Sequence, residues 1–87
     1  MNIQEINIPP LELSLLITSE KSWFPLKPTL PTPKVNEILK LVEDDGEDWI
    51  LSRVTHIARI MDEDSKETLL YIISCETVTT IYNEIRL

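Results

Sequence analysis

The sequence predicts a mainly β fold, a small five-stranded antiparallel barrel, and three observations carry that expectation. Three apolar runs (residues 35–42, 49–61 and 68–74) are separated by two acidic turns, Glu43-Asp44-Asp45-Gly46-Glu47-Asp48 and Asp62-Glu63-Asp64-Ser65-Lys66. The second and third runs are rich in Ile, Val, Thr and Tyr, side chains that suit a pleated, half-buried surface. Asp45-Gly46 is a hairpin signal, because the favoured two-residue turn needs residues that tolerate positive φ. A small all-α bundle is the alternative. Val35, Ile38, Leu39 and Val42 keep helical spacing, as do Ile50, Val54, Ile57 and Met61. Thr32-Pro33 and Gly46 would even bound one such helix. Against it, Glu43, Asp44 and Asp45 would crowd the negative end of the first helix, and Asp62, Glu63 and Asp64 that of the second.

The remaining elements follow in chain order. Ile3, Ile6 and Ile8 alternate loosely, and Pro9-Pro10 ends any strand entering through Ile8 because proline cannot donate to a ladder. Leu11, Leu13, Leu15 and Ile17 recur at period two, which predicts a strand over residues 11–17. Residues 18–34 hold four of the six prolines (Pro25, Pro28, Pro31 and Pro33), so this segment is expected to be a stiff, extended connector along the domain. Its overlapping PxxP elements also suit a docking peptide. Trp23 and Phe24 are expected to pin the connector to the barrel, the alternative being an exposed interface pair. The run 49–61 would span about 43 Å as a strand, longer than the roughly 31 Å diameter expected of the domain, so it must bend. A bulge near Ser52-Arg53 would turn Trp49 and Leu51 to the same side as Val54, Ala58 and Ile60. Trp49 is then a core anchor. Residues 76–87 fit a helix through Val78, Ile81, Tyr82 and Ile85, or a strand through Thr77, Thr79 and Thr80. The strand is preferred.

The proline-rich lead-in, the run Pro33-Lys34-Val35-Asn36-Glu37-Ile38-Leu39-Lys40-Leu41, the acidic turn and Trp49-Ile50-Leu51-Ser52-Arg53-Val54-Thr55-His56-Ile57 together resemble a small SH3-like β-barrel over about residues 25–75. The resemblance implies a fold and carries no catalytic residues across, because such barrels serve many functions. Asn36 stands where many of them have glycine.

Eighty-seven residues make a single domain, 1–87, with residues 18–34 as the connector within it. No apolar run approaches the roughly 20 residues of a membrane helix, and no basic-then-apolar segment opens the chain. One cysteine, Cys75, fits a reducing, cytoplasmic setting. The net charge of −7 repels phosphate backbones and anionic lipid, and favours basic surfaces. It also serves solubility alone.

Chemistry-bearing residues are few. His56 and Cys75 could face each other across one strand pairing, but no oxyanion-forming loop accompanies them. Asp62 opens a calcium-like loop that has Glu67 where glycine is needed and Ile73 where the bidentate glutamate is needed. One histidine and one cysteine do not make a zinc site. Gly46 is the single glycine, so phosphate-cradling loops are excluded. No cofactor and no enzymatic activity are expected. The expectation is a protein-interaction module. Trp23, Phe24, Pro28 and Pro31 form one candidate surface, and Asp44, Asp45, Glu47, Asp48, Arg53 and Arg59 supply the other candidates. An acidic surface docking on a basic protein is the sharper form. A nucleic-acid-binding barrel using Lys40, Arg53, Arg59 and Tyr71 is the alternative, although Arg53 and Arg59 read more simply as cross-strand partners of carboxylates. Open strand edges also allow a homodimer.

Overall fold

The computed structural model describes residues 3–78. In chain order these form β1 (Gln4–Ile8), α1 (Pro10–Ile17), β2 (Trp23–Leu26), β3 (Ile38–Glu43), β4 (Trp49–Met61) and β5 (Thr68–Thr77). The strands make one sheet in the order β1-β3-β4-β5-β2, curled into a half-barrel. The fold is mainly β, and the all-α alternative does not hold. Among the described residues no helix is long and apolar enough to cross a membrane.

The sheet is mixed and not wholly antiparallel. β1 runs parallel to β3, with Ile6 opposite Leu41, while the other three pairings are antiparallel. The route of the chain explains this. After β1 it crosses through α1 to the far edge, descends as β2 and returns through residues 27–37 to lay β3 beside β1. Two crossings restore the original direction.

Residues 11–17 are helical, which corrects the expected strand. Pro10 occupies a first-turn position where its missing N–H costs nothing and its fixed φ suits a helix. Leu and Glu, straight-chain helix formers, fill the turns that follow. The buried pair is Leu13 and Leu16, three apart, while Leu11 is 73% exposed. The period-two pattern is a coincidence of an apolar-rich helix. Ser19 ends it at φ 63°, with Ser19 N donating to Leu16 O and Glu20 N to Leu15 O. That is the Schellman arrangement, with serine where glycine is usual.

The expected proline connector contains a strand. β2 includes Pro25, which pairs opposite Ile72. Ser22 O accepts from Cys75 N, so by strand alternation Phe24 and Leu26 turn their backbone toward β5. Pro25 therefore points its nitrogen to the open edge, the one strand position where no ladder donor is lost. Pro33 is buried, which holds the return segment against the body.

The β3–β4 hairpin closes through Glu43 N to Asp48 O at 2.9 Å and Gly46 N to Glu43 O at 3.3 Å. It is wider than the expected two-residue turn. Positive φ, 54°, falls on Asp45 and not on Gly46. Before β3, Asn36 takes φ 75°, a conformation its short polar side chain tolerates in place of glycine. Asn36 N donates to Val54 O, and Val54 N to Glu37 O, which extends the pairing by one step.

β4 carries its bulge at Thr55, between the pairs Val54–Cys75 and His56–Ser74, slightly beyond the expected place. Ile50, Ser52 and Val54 point inward before it and Ile57 packs against the core after it. Trp49, Leu51 and Arg53 point outward before it, and His56, Ala58 and Ile60 after it. Trp49 is thus half-buried on the outer side and is not the core anchor. Phe24, fully buried, fills that role with Leu39, Leu41 and Ile73. Nor does the long strand fold back. β3 covers β4 only to about Val54 and β2 covers β5 only over Tyr71–Ser74, so the rest runs on as a two-stranded arm. The molecule measures 50 × 26 × 22 Å, and its radius of gyration is 13.5 Å. Of the tail, Glu76 and Thr77 finish β5, and residues 79–87 lie outside the described residues.

Candidate interaction surfaces

The acidic β3–β4 turn stands at one end of β4 and the second acidic turn at the other. Asp44, Asp45, Glu47 and Asp48 are all exposed, and among the described residues none of them forms an ion pair. The loop has a fixed seat, because Asp44 N donates to Ile8 O at 2.9 Å and so ties the turn to β1. Trp49 follows it, with the Lys40 ammonium 4.8 Å from the ring centroid. Lys40 also meets Glu5 at 3.4 Å across the β1–β3 pairing.

The candidate cations separate. Arg53 and Arg59 would share a face on an unbroken strand, but the extra residue at Thr55 puts Arg53 outside and Arg59 on the side of Ile57. Arg53 donates through Nε and Nη2 to one Glu76 oxygen, at 2.9 and 2.5 Å. This is the cross-strand carboxylate pairing expected of it. Arg59 Nε donates to Thr68 Oγ1 at 2.6 Å instead. Tyr71 packs against the core. Lys40, Arg53, Arg59 and Tyr71 therefore form no continuous basic stripe.

The aromatic pair also divides. Phe24 is fully buried, which removes it from any surface and makes it the pin that holds β2. Trp23 is 43% exposed on the outer face, with Lys21 Nζ 4.1 Å above its ring. Lys21 is in turn paired with Glu12. Pro28 and Pro31 lie in the exposed segment after β2, where Pro31 O accepts from Gln4 Nε2 at 2.9 Å.

Sequence reasoning misses one surface entirely. Outward positions of β2, β5 and β4 align in rows: Trp23, Ser74 and His56; then Pro25, Ile72 and Ala58; then Leu70 and Ile60. No carboxylate, lysine or arginine occupies any of them. The signal lay in positions 56, 58 and 60, but it is legible only once the break at Thr55 is known.

His56 and Cys75 do not meet. Cys75 is buried on the inner face opposite Val54, whereas His56 is exposed on the outer one. Burial pushes the Cys75 thiol up from its ordinary pKa, and the nearby Ser52 hydroxyl opposes that weakly. Asp62 caps its own turn: backbone N–H groups of Ser65 and Asp64 donate to Oδ1 at 3.0 and 2.9 Å, holding the carboxyl below its ordinary pKa. Among the described residues no group of three or more His, Cys, Asp or Glu could hold a metal ion.

Among the described residues two open clefts stand out. One of about 460 Å³ lies between the sheet edges, lined by Ile6, Asn7, Pro25, Leu26 and Leu30. The other, about 260 Å³, lies under Lys21 beside Leu16 and Glu76. Comparison with protein-family models, curated proteins and solved structures returned no match.

Proposed function

We propose that the chain is a non-enzymatic protein-interaction module that docks on a basic partner protein through the β3–β4 turn. One observation carries the reading: four exposed carboxylates, Asp44, Asp45, Glu47 and Asp48, without ion pairs among the described residues, on a loop tied to β1. Carboxylates already held by internal cations would offer little to a partner, and those on a wandering loop would lose entropy on binding. An SH3-like reading of the half-barrel suits this role, since the sheet presents the turn from a rigid end. A reducing cytoplasm suits the buried Cys75 thiol.

The test is capture from native cell lysate by the tagged chain, beside the variant Asp44→Asn/Asp45→Asn/Glu47→Gln/Asp48→Asn. A basic protein retained at low salt, released at about 500 mM salt and absent from the variant's capture is the expected result. Retention that ignores both salt and the substitutions overturns the reading. Nucleic acid captured without protein replaces it with the nucleic-acid alternative.

A further inference from the structure

We propose that the gap between the two edges of the half-barrel is a binding groove for an extended acidic peptide of a partner protein, which adds to β1 as a further strand. This goes beyond the partner reading, because the β3–β4 turn takes no part in it. The cleft of about 460 Å³ lies in this gap. Its volume falls in the roughly 300–1,000 Å³ range of ligand sites. Residues of both faces line it: the buried, inward Ile6 and Leu26, and the exposed Glu5, Asn7, Pro25 and Lys27. Successive side chains of a strand alternate between faces, so a space lined by both faces of two strands lies edge-on between them.

Backbone direction selects a polypeptide. Ile8 O accepts from Asp44 N, so by alternation Gln4, Ile6 and Ile8 turn their N–H and C=O groups toward β3. Glu5 and Asn7 turn theirs to the gap, where among the described residues no backbone group meets them. Two donors and two acceptors, at the two-residue spacing of a strand, match the backbone of another extended chain. Across the gap β2 has no ladder to offer, since Pro25 lacks an N–H and Lys27 O already accepts from Leu30 N at 3.2 Å. The peptide therefore bonds to β1 and lays its side chains against Leu26, Pro25 and Leu30. Leu30 is 45% exposed. Gln4 Nε2 donates to Pro31 O at 2.9 Å and so holds the Leu30 turn beside β1. The groove is thus formed before binding, which limits the ordering cost.

Charge selects the kind of peptide. The cleft has two charged residues, Glu5 and Lys27. Glu5 already meets Lys40 at 3.4 Å. Lys27 forms no ion pair among the described residues. A carboxylate is its complement, whereas a basic peptide would bring its cation against Lys27. The ligand is then an extended segment with apolar side chains at alternate positions, for Ile6, Leu26 and Leu30, and an aspartate or glutamate for Lys27.

Selection by the full chain from a displayed library of random peptides about seven residues long, enough to span β1, tests this. Peptides that alternate apolar residues and carry an aspartate or glutamate should be enriched over a bare support. An enriched peptide, synthesised and titrated into isotope-labelled chain, should slow hydrogen exchange at the Glu5 and Asn7 N–H groups at least about tenfold. Methylating its backbone nitrogens one at a time should weaken binding about tenfold at alternate positions and little at those between. Lys27→Gln, exposed and outside every strand, should weaken it about two- to fivefold. The neutralised β3–β4 turn variant should bind like the parent, which separates this proposal from the partner reading. No enrichment overturns the groove, and enrichment of basic peptides overturns the assigned chemistry. Binding that leaves the Glu5 and Asn7 exchange rates unchanged, or that ignores every methylation, overturns the added strand. Protection of the same two groups without peptide also overturns the proposal: it gives the gap to a second copy where it grows with concentration, and to the chain itself where it does not.

Discussion

Replacing Ser52 by alanine should stabilise the fold. Ser52 points inward from the middle of β4, between Ile50 and Val54, and is 1% exposed. Among the described residues its Oγ has no hydrogen-bond partner. The polar group beside it is the Cys75 thiol, and sulfur is too weak a partner to replace water. An unpaired buried hydroxyl costs about 1–3 kcal/mol relative to its hydrated state. Alanine removes that cost and leaves a void of one oxygen atom, roughly 15 Å³, worth about 0.4 kcal/mol at 24 cal/mol per Å³. The net gain is therefore about 0.6–2.6 kcal/mol, and about 1 kcal/mol lies in the lower part of that range. For a domain of this size a gain of about 1 kcal/mol raises Tm by about 4–8 °C. With an m-value of about 1 kcal/mol/M it raises the urea midpoint by about 1 M. Urea and thermal melts followed by circular dichroism measure both. A lower midpoint at unchanged m would mean that the hydroxyl is satisfied in solution, and the reasoning would fail.

Three further outcomes are expected. Ser19→Gly should stabilise by about 0.5–1 kcal/mol in the same urea melts, because glycine relieves the left-handed strain at the end of α1. Asp62 has its pKa lowered in the folded state, so the stability it adds is complete above the unfolded value near 4 and disappears as pH falls through the folded value. Asp62→Ala should accordingly flatten the acid limb of the urea midpoint below about pH 4, and an unchanged limb would refute the turn's contribution. Cys75, buried and with a raised pKa, should react with iodoacetamide at least about a hundredfold more slowly in the native state than in urea. Rapid native labelling would show that the Val54–Cys75 region opens.

The meander β3–β4–β5 is legible in the sequence because two acidic turns separate β-branched runs, and nothing else competes for those residues. α1 is harder. Leu11, Leu13, Leu15 and Ile17 obey period two, while Leu13 and Leu16 obey the helical spacing, and so short a stretch does not choose between them. Pro10 and the absence of β-branched residues before Ile17 are the deciding features, and both are local. β2 hides among prolines, since Pro25 is acceptable only through the accident of which way its nitrogen faces. The parallel pairing of β1 is a property of the route and leaves no mark on residues 4–8. Among the site residues, Asp44, Asp45, Glu47 and Asp48 are exposed as their composition implies. Phe24 pins its segment to the sheet as expected and so leaves the candidate surface, while Trp23 beside it stays 43% exposed. The Arg53–Arg59 stripe fails because one extra residue at Thr55 reverses every side chain beyond it.

The sheet order has a consequence for how the chain is made. Both edges, β1 and β2, come from residues 4–26, whereas the three strands between them occupy residues 38–77. During synthesis the edges emerge first and have nothing to pair with. At about 5–20 residues per second they wait about 3–10 s for the end of β5. α1, with eight residues, cannot hold structure alone in that interval. The hairpins β3–β4 and β4–β5 involve the most local pairings and form first, and the first-made segment docks last on both flanks at once. Damage to β1 or β2 should then hasten unfolding while leaving the folding rate nearly untouched.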